Sequence, residues 1–130
     1  GLLIGSKETV AELDKLRLPY NINTLTQVSA NFLLKEKAEI DKNAAVIIEQ
    51  RQLLLSELQQ ISGLLVYPSQ ANFILFKAPK AQALFDYLKG SKILIKNLSG
   101  APKLTDCLRV TVGDSDQNQK FLQVVKKFYD

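Results

Sequence analysis

The sequence predicts an α/β protein: helices packed on one side of a small sheet, with a long helical rod leading into it. Three observations carry this reading. Residues 63–130 change texture in the order β-β-α-β-β-α. Ahead of them, residues 24–61 keep a helical pattern for about 38 residues, roughly 57 Å at the rise of an α-helix. The stretch "DCLRVTVGD" (106–114) alternates with a period of two, Leu108, Val110 and Val112 facing one way and Cys107, Arg109 and Thr111 the other.

Composition bounds the function. The chain has 130 residues, 46% of them apolar and 23% charged, which is the balance of a soluble globular protein. No run approaches the roughly 18 apolar residues that cross a bilayer, and "GLLIGSKETV" lacks the basic lead of a signal peptide, so no membrane role is expected. One cysteine and no histidine exclude an intramolecular disulfide, imidazole catalysis and the usual zinc sites, and a lone thiol suits the cytoplasm. The net charge is +4, but the lysines are scattered among carboxylates ("LLKEKAEIDK"), which reads as a solvated surface with no nucleic-acid partner. There is no methionine, and the chain opens on a strand-like run, so a fragment of a longer protein is expected.

Taken in order, "GLLIG" reads as a strand. "SKETVAELDKLRL" is a helix with Ser6 as N-cap, Glu8 in its first turn, and Val10, Leu13 and Leu16 on one face; Thr9 leaves the capping box incomplete. Pro19 stops it, and Asn21 and Asn23 are turn and cap residues. In the rod, Leu25, Val28 and Phe32 form one stripe. Ile40, Ala44, Ile47, Leu54, Leu58 and Ile61 form another, interrupted by Arg51, with Ile47 onward expected in a core. The charged stretch "KEKAEIDKN" marks a bend or break. Such a rod is too long for one small domain and should bridge two bodies.

After Gly63, "LLVY", "NFILF", "KILIK" and "CLRVTV" are strands, and "PSQ" and "NLSGAPKLTD" connect them. "APKAQALFDYLKG" is a helix stopped by Gly90, and the last helix spans Ser115 to Tyr129 with Phe121, Leu122, Val125 and Phe128 on its apolar face. If helices cover one sheet face, Arg109 stands on the other. Pattern alone favours a structural ion pair for it, since a partly buried guanidinium needs an anion.

Four segments shift that balance. "KLRLPYNIN" (15–23), "YPSQANFILF" (67–76), "ILIKNLSG" (93–100) and "CLRVTVG" (107–113) closely resemble the end of histidinol-phosphate aminotransferases, pyridoxal-phosphate enzymes of the aspartate-aminotransferase fold. The resemblance covers essentially the whole chain. It implies a C-terminal fragment, in which residues 1–38 are the last pieces of the large cofactor-binding domain, 39–62 the interdomain helix and 63–130 the small domain. It implies a homodimeric parent whose cofactor is pyridoxal phosphate, and whose cofactor-bonding lysine would precede Gly1, so no catalytic residue and no covalently held cofactor are expected here.

It further implies that Arg109 binds a carboxylate of the amino donor, that Tyr20 bonds a substrate phosphate or else packs the turn behind Pro19, and that Lys96 meets the substrate's distal anion. Lys96 departs from the arginine many members carry, which leaves open a related phosphate- or aromatic-substrate aminotransferase. Asn72 is expected to bond the turn at Pro68 and Ser69, and Cys107 to be a small buried side chain. A non-catalytic small domain reused as an interaction module is the alternative from another class. The exposed half of the rod and the orphan first strand favour self-association of the chain.

Overall fold

A computed structural model describes residues 4–18 and 20–130. Contacts divide the chain into two units, Gly1–Ile40 and Asp41–Asp130.

The first unit is built by local signals. Helix α1 (Lys7–Asp14) starts where Ser6 Oγ accepts the Thr9 N–H at 3.2 Å, with Thr9 Oγ1 3.1 Å from the same oxygen. A backbone hydrogen bond and the Ser6 hydroxyl hold the Glu8 carboxyl below its ordinary value. The helix is shorter than expected because the chain tightens into i,i+3 turns after Asp14, Leu16 N–H donating to Leu13 O at 3.0 Å and Arg17 N–H to Asp14 O at 3.2 Å, with Lys15 paired to Glu12 and Arg17 to Asp14, each at 2.6 Å. The expected first strand and the Pro19 stop fall on Gly1–Leu3 and Pro19, which lie outside the described residues; Ile4 and Gly5 are in no strand. Helix α2 (Thr24–Lys35) is capped by Asn23, whose Oδ1 accepts the Thr26 N–H at 2.8 Å. Glu36 (φ −92°, ψ 35°) then breaks the rod inside the charged stretch, and α3 (Lys37–Gln59) follows.

In the second unit, Leu54 and Leu58 of α3 and the following Ile61 enter the core. Ile47 does not, being 36% exposed. Arg51 does more than interrupt the stripe: its Nη1 donates to the Ala71 carbonyl at 3.2 Å and ties the helix to the turn before the second strand. The sheet comprises β1 (Leu65–Val66), β2 (Phe73–Lys77), β3 (Lys96–Asn97) and β4 (Cys107–Thr111) in the order β1-β2-β4-β3, every pairing antiparallel. Helices α4 (Ala81–Gly90) and α5 (Ser115–Tyr129) complete the expected β-β-α-β-β-α order. Ile74, Phe76, Leu108 and Val110 point inward against Leu84 and Leu88 of α4 and Phe121 and Val125 of α5, with Phe76 and Phe121 edge to face at 6.4 Å.

Two strands are shorter than their sequence suggests. In "KILIK" the Ile93 N–H is taken by Leu88 O at the end of α4 (2.9 Å), so the ladder begins only at Lys96, although Ile93 and Ile95 still pack on the core and Leu94 stays exposed. Likewise in "LLVY" the strand itself is Leu65 and Val66, although the Tyr67 N–H still donates to Leu75 O at 3.0 Å. Gly90 is the last helical residue and not the left-handed stop; Lys92, at φ 62°, turns the chain.

Helix α5 opens on a full capping box, Asp114 Oδ1 accepting the Gln117 N–H at 2.8 Å and Gln117 Oε1 the Asp114 N–H at 3.3 Å. Behind it the buried Asn118 clasps Gly113, accepting its N–H and donating to its carbonyl, both at 2.9 Å, and also donates to Gln50 Oε1 on α3 at 3.1 Å. A Cβ on Gly113 would lie 2.9 Å from Gln117 Cβ. Gly113→Ala should therefore cost about 1–3 kcal/mol, read as a lower urea midpoint at unchanged slope.

At the far end of α5 the Tyr129 hydroxyl donates to Pro79 O at 2.9 Å, and burial pushes the phenol pKa up from its ordinary value. The unfolded chain releases this proton first, so the stabilisation is complete below pH about 10 and is lost as pH rises through the folded pKa. Urea midpoints measured at about pH 9 and pH 11 should fall more steeply for the unmodified chain than for Tyr129→Phe.

Candidate functional site

The β2–β4 register sends alternate residues to the sheet face away from the helices. Phe73 opposes Thr111, Leu75 opposes Arg109, and Lys77 opposes Cys107. The β3–β4 register adds Lys96 directly opposite Arg109. Directly opposed residues hold their Cβ atoms about 4.5–5.5 Å apart, and like charges in that position repel. The strand positions on this face hold no carboxylate: the row through its middle is Leu75, Arg109 and Lys96.

Among the described residues Arg109 makes no ion pair of the kind that pattern alone favoured. The residue is half-buried, yet among the described residues no hydrogen bond or salt bridge engages its guanidinium. Its Cζ lies over the Phe73 ring, 5.0 Å from the centroid, within cation–π range. Two cations thus stand side by side on an open β-face, one of them half-buried. The guanidinium offers a planar fork and the ammonium a point charge.

Tyr20 belongs to the first unit. Its side chain is 98% exposed and its backbone takes the left-handed conformation at φ 58°. Asn72 does not bond the turn as expected. Ser69 does that work, donating to Phe73 O at 2.6 Å and accepting the Ala71 N–H at 3.1 Å, while Asn72 offers its backbone carbonyl to Val112 N–H at 2.9 Å. Cys107 is the buried exception on the outer face, its Sγ 3.7 Å from Thr105 O. Sequence reasoning passed over Phe73, although the alternation in "NFILF" put it on the side of β2 opposite Ile74 and Phe76.

The second unit is thus an open antiparallel sheet with its helices on one face and Arg109 and Lys96 paired on the other. The chain belongs to the family of class I and II aminotransferases, whose model matches residues 1–125. It is 63% identical over 129 residues to a histidinol-phosphate aminotransferase of Vesicomyosocius okutanii subsp. Calyptogena okutanii, covering 99% of this chain and 36% of that protein. It is 52% identical to histidinol-phosphate aminotransferase 2 of Nitrosococcus oceani, over 97% of this chain and 36% of the relative. The crystal structure of the histidinol-phosphate aminotransferase from Clostridium acetobutylicum superimposes with a TM-score of 0.84 at 28% identity, over 95% of this chain and 38% of that one. The chain thus spans about 36% of the length of the curated relatives it matches.

The described residues give pyridoxal phosphate no bonding lysine withdrawn from water. A lysine that bonds a cofactor is drawn out of water to lower its basicity, whereas every lysine here is exposed. The N-termini of α1, α2 and α5 are closed by Ser6, Asn23 and Asp114, whereas Lys80 at the start of α4 makes no side-chain cap. Because Lys96 and Arg109 repel, Lys96→Glu should raise stability by about 1 kcal/mol, visible as a higher urea midpoint.

Proposed function

We propose that this chain is the substrate-anion-binding arm of a longer pyridoxal-phosphate-dependent aminotransferase, one that exchanges an amino group between histidinol phosphate and 2-oxoglutarate in histidine biosynthesis. In this reading residues 1–38 close the large domain, 39–62 link it to the small domain, and 63–130 form that small domain. The observation that carries it is the carboxylate-free row on which Arg109 and Lys96 stand directly opposed. A substrate bearing a carboxylate or a phosphate relieves the repulsion that the folded sheet imposes, so binding gains what folding forgoes.

Arg109 holds the α-carboxylate of glutamate bidentately and orients the Cα–H bond; it exchanges no proton. Lys96 meets the distal anion and Tyr20 a phosphate oxygen through its hydroxyl. The cofactor, its lysine and the proton transfers belong to the rest of the longer protein, which is a homodimer working in the cytoplasm. Among the described residues no helix is long and apolar enough to cross a membrane. Lys96, where a bidentate arginine would grip a phosphate better, favours one alternative: a relative with an aromatic or other phosphorylated substrate.

Transamination by the longer protein that carries this chain tests the proposal. Histidinol phosphate should outcompete aromatic amino acids as donor, and Arg109→Ala should lower kcat/KM by about 10²-fold or more. An Arg109→Ala enzyme with unchanged kcat/KM would remove the clamp from the scheme.

A further inference from the structure

Arg109 is partly withdrawn from water with no anionic partner among the described residues, and the contact that compensates it is aromatic. Its guanidinium sits over the Phe73 ring, Cζ 5.0 Å from the centroid. We propose that Phe73 is a positioning residue for Arg109, holding the guanidinium in place before a carboxylate arrives. This rests on the reading of Arg109 as a carboxylate clamp.

The argument begins with the register. Phe73 opposes Thr111 and Arg109 opposes Leu75, so the two side chains are diagonal neighbours on one face, a separation that an aromatic ring and a long side chain can bridge. From the other side Lys96, directly opposite Arg109, repels the guanidinium toward β2. An arginine left to itself has large rotamer freedom, and fixing it on binding weakens the complex. The negative face of the ring attracts the cation yet supplies no oxygen acceptor, so the N–H donors of the guanidinium keep their demand for a carboxylate. A carboxylate in place of the ring would hold Arg109 equally well and occupy the fork.

The backbone that carries the ring is anchored. Ser69 Oγ donates to the Phe73 carbonyl at 2.6 Å and accepts the Ala71 N–H at 3.1 Å, and Arg51 of α3 donates to the Ala71 carbonyl at 3.2 Å. Phe73 is therefore set on a braced turn at the start of its strand. Positioning of the fork runs from α3 through residues 69–73 to Arg109.

The test follows the Arg109 Nε–H resonance of the ¹⁵N-labelled full chain while glutarate, a dicarboxylate without an amino group, is titrated. The Nε–H should be shifted by the ring current. Phe73→Leu should abolish that shift and weaken glutarate about three- to tenfold, the freedom an unheld arginine regains; Phe73→Tyr should restore both. Pentafluorophenylalanine at position 73 keeps the shape and inverts the charge of the ring face, so it should weaken glutarate even if the leucine variant misfolds. Glutarate affinity unchanged by both Phe73→Leu and the fluorinated ring, but lost in Arg109→Ala, overturns the positioning role and leaves the clamp standing. Glutarate binding that survives Arg109→Ala overturns the clamp, and the positioning role with it.

Discussion

The pairing of β2 with β4 in one antiparallel register fixes both the interior of the second unit and its open face. Side chains alternate along each strand, so the setting that buries Ile74, Phe76, Leu108 and Val110 also lines up Phe73, Leu75, Arg109 and Thr111 outside. A slip by one residue would turn the apolar set to water and the guanidinium into the core, at a cost of many kcal/mol. The core therefore holds the proposed binding row in place, even though no core residue belongs to it.

That row works against stability. An arginine opposite a lysine, with no carboxylate among the outward strand positions, is a local conflict of the kind that collects at binding surfaces. The conflict is borne by contacts elsewhere: the packed layer of α3, α4 and α5, the Asp114–Gln117 capping box, and the Asn118 clasp on Gly113. The cation–π contact with Phe73 softens the conflict on the β2 side without consuming the charge.

The first unit obeys another logic. Its helices α1 and α2 bury no residue, and Leu25, Val28 and Phe32 are 80%, 61% and 62% exposed. Helices of this length are marginal in water on propensity and caps alone. Under the proposed reading, the remainder of a longer protein covers these side chains, in keeping with a chain that spans 36% of its relatives' length.

Local chemistry was readable from the sequence. Ser6 and Asn23 announced their helices by side-chain capping, the charged stretch around Glu36 announced the break, and period-two alternation in "CLRVTV" put Leu108, Val110 and Val112 inside. Each of these signals is contained within a few neighbouring residues. The family resemblance drew attention to Arg109 and Lys96, which stand far enough apart in the chain that no local rule links them. Only the tertiary structure made them opposite residues, moved the start of β3 by giving the Ile93 N–H to α4, left Ile47 in water, and brought Phe73 beneath the guanidinium. Those outcomes depend on strand register and on competition for backbone hydrogen bonds between elements distant in sequence, and neither is written in any single segment.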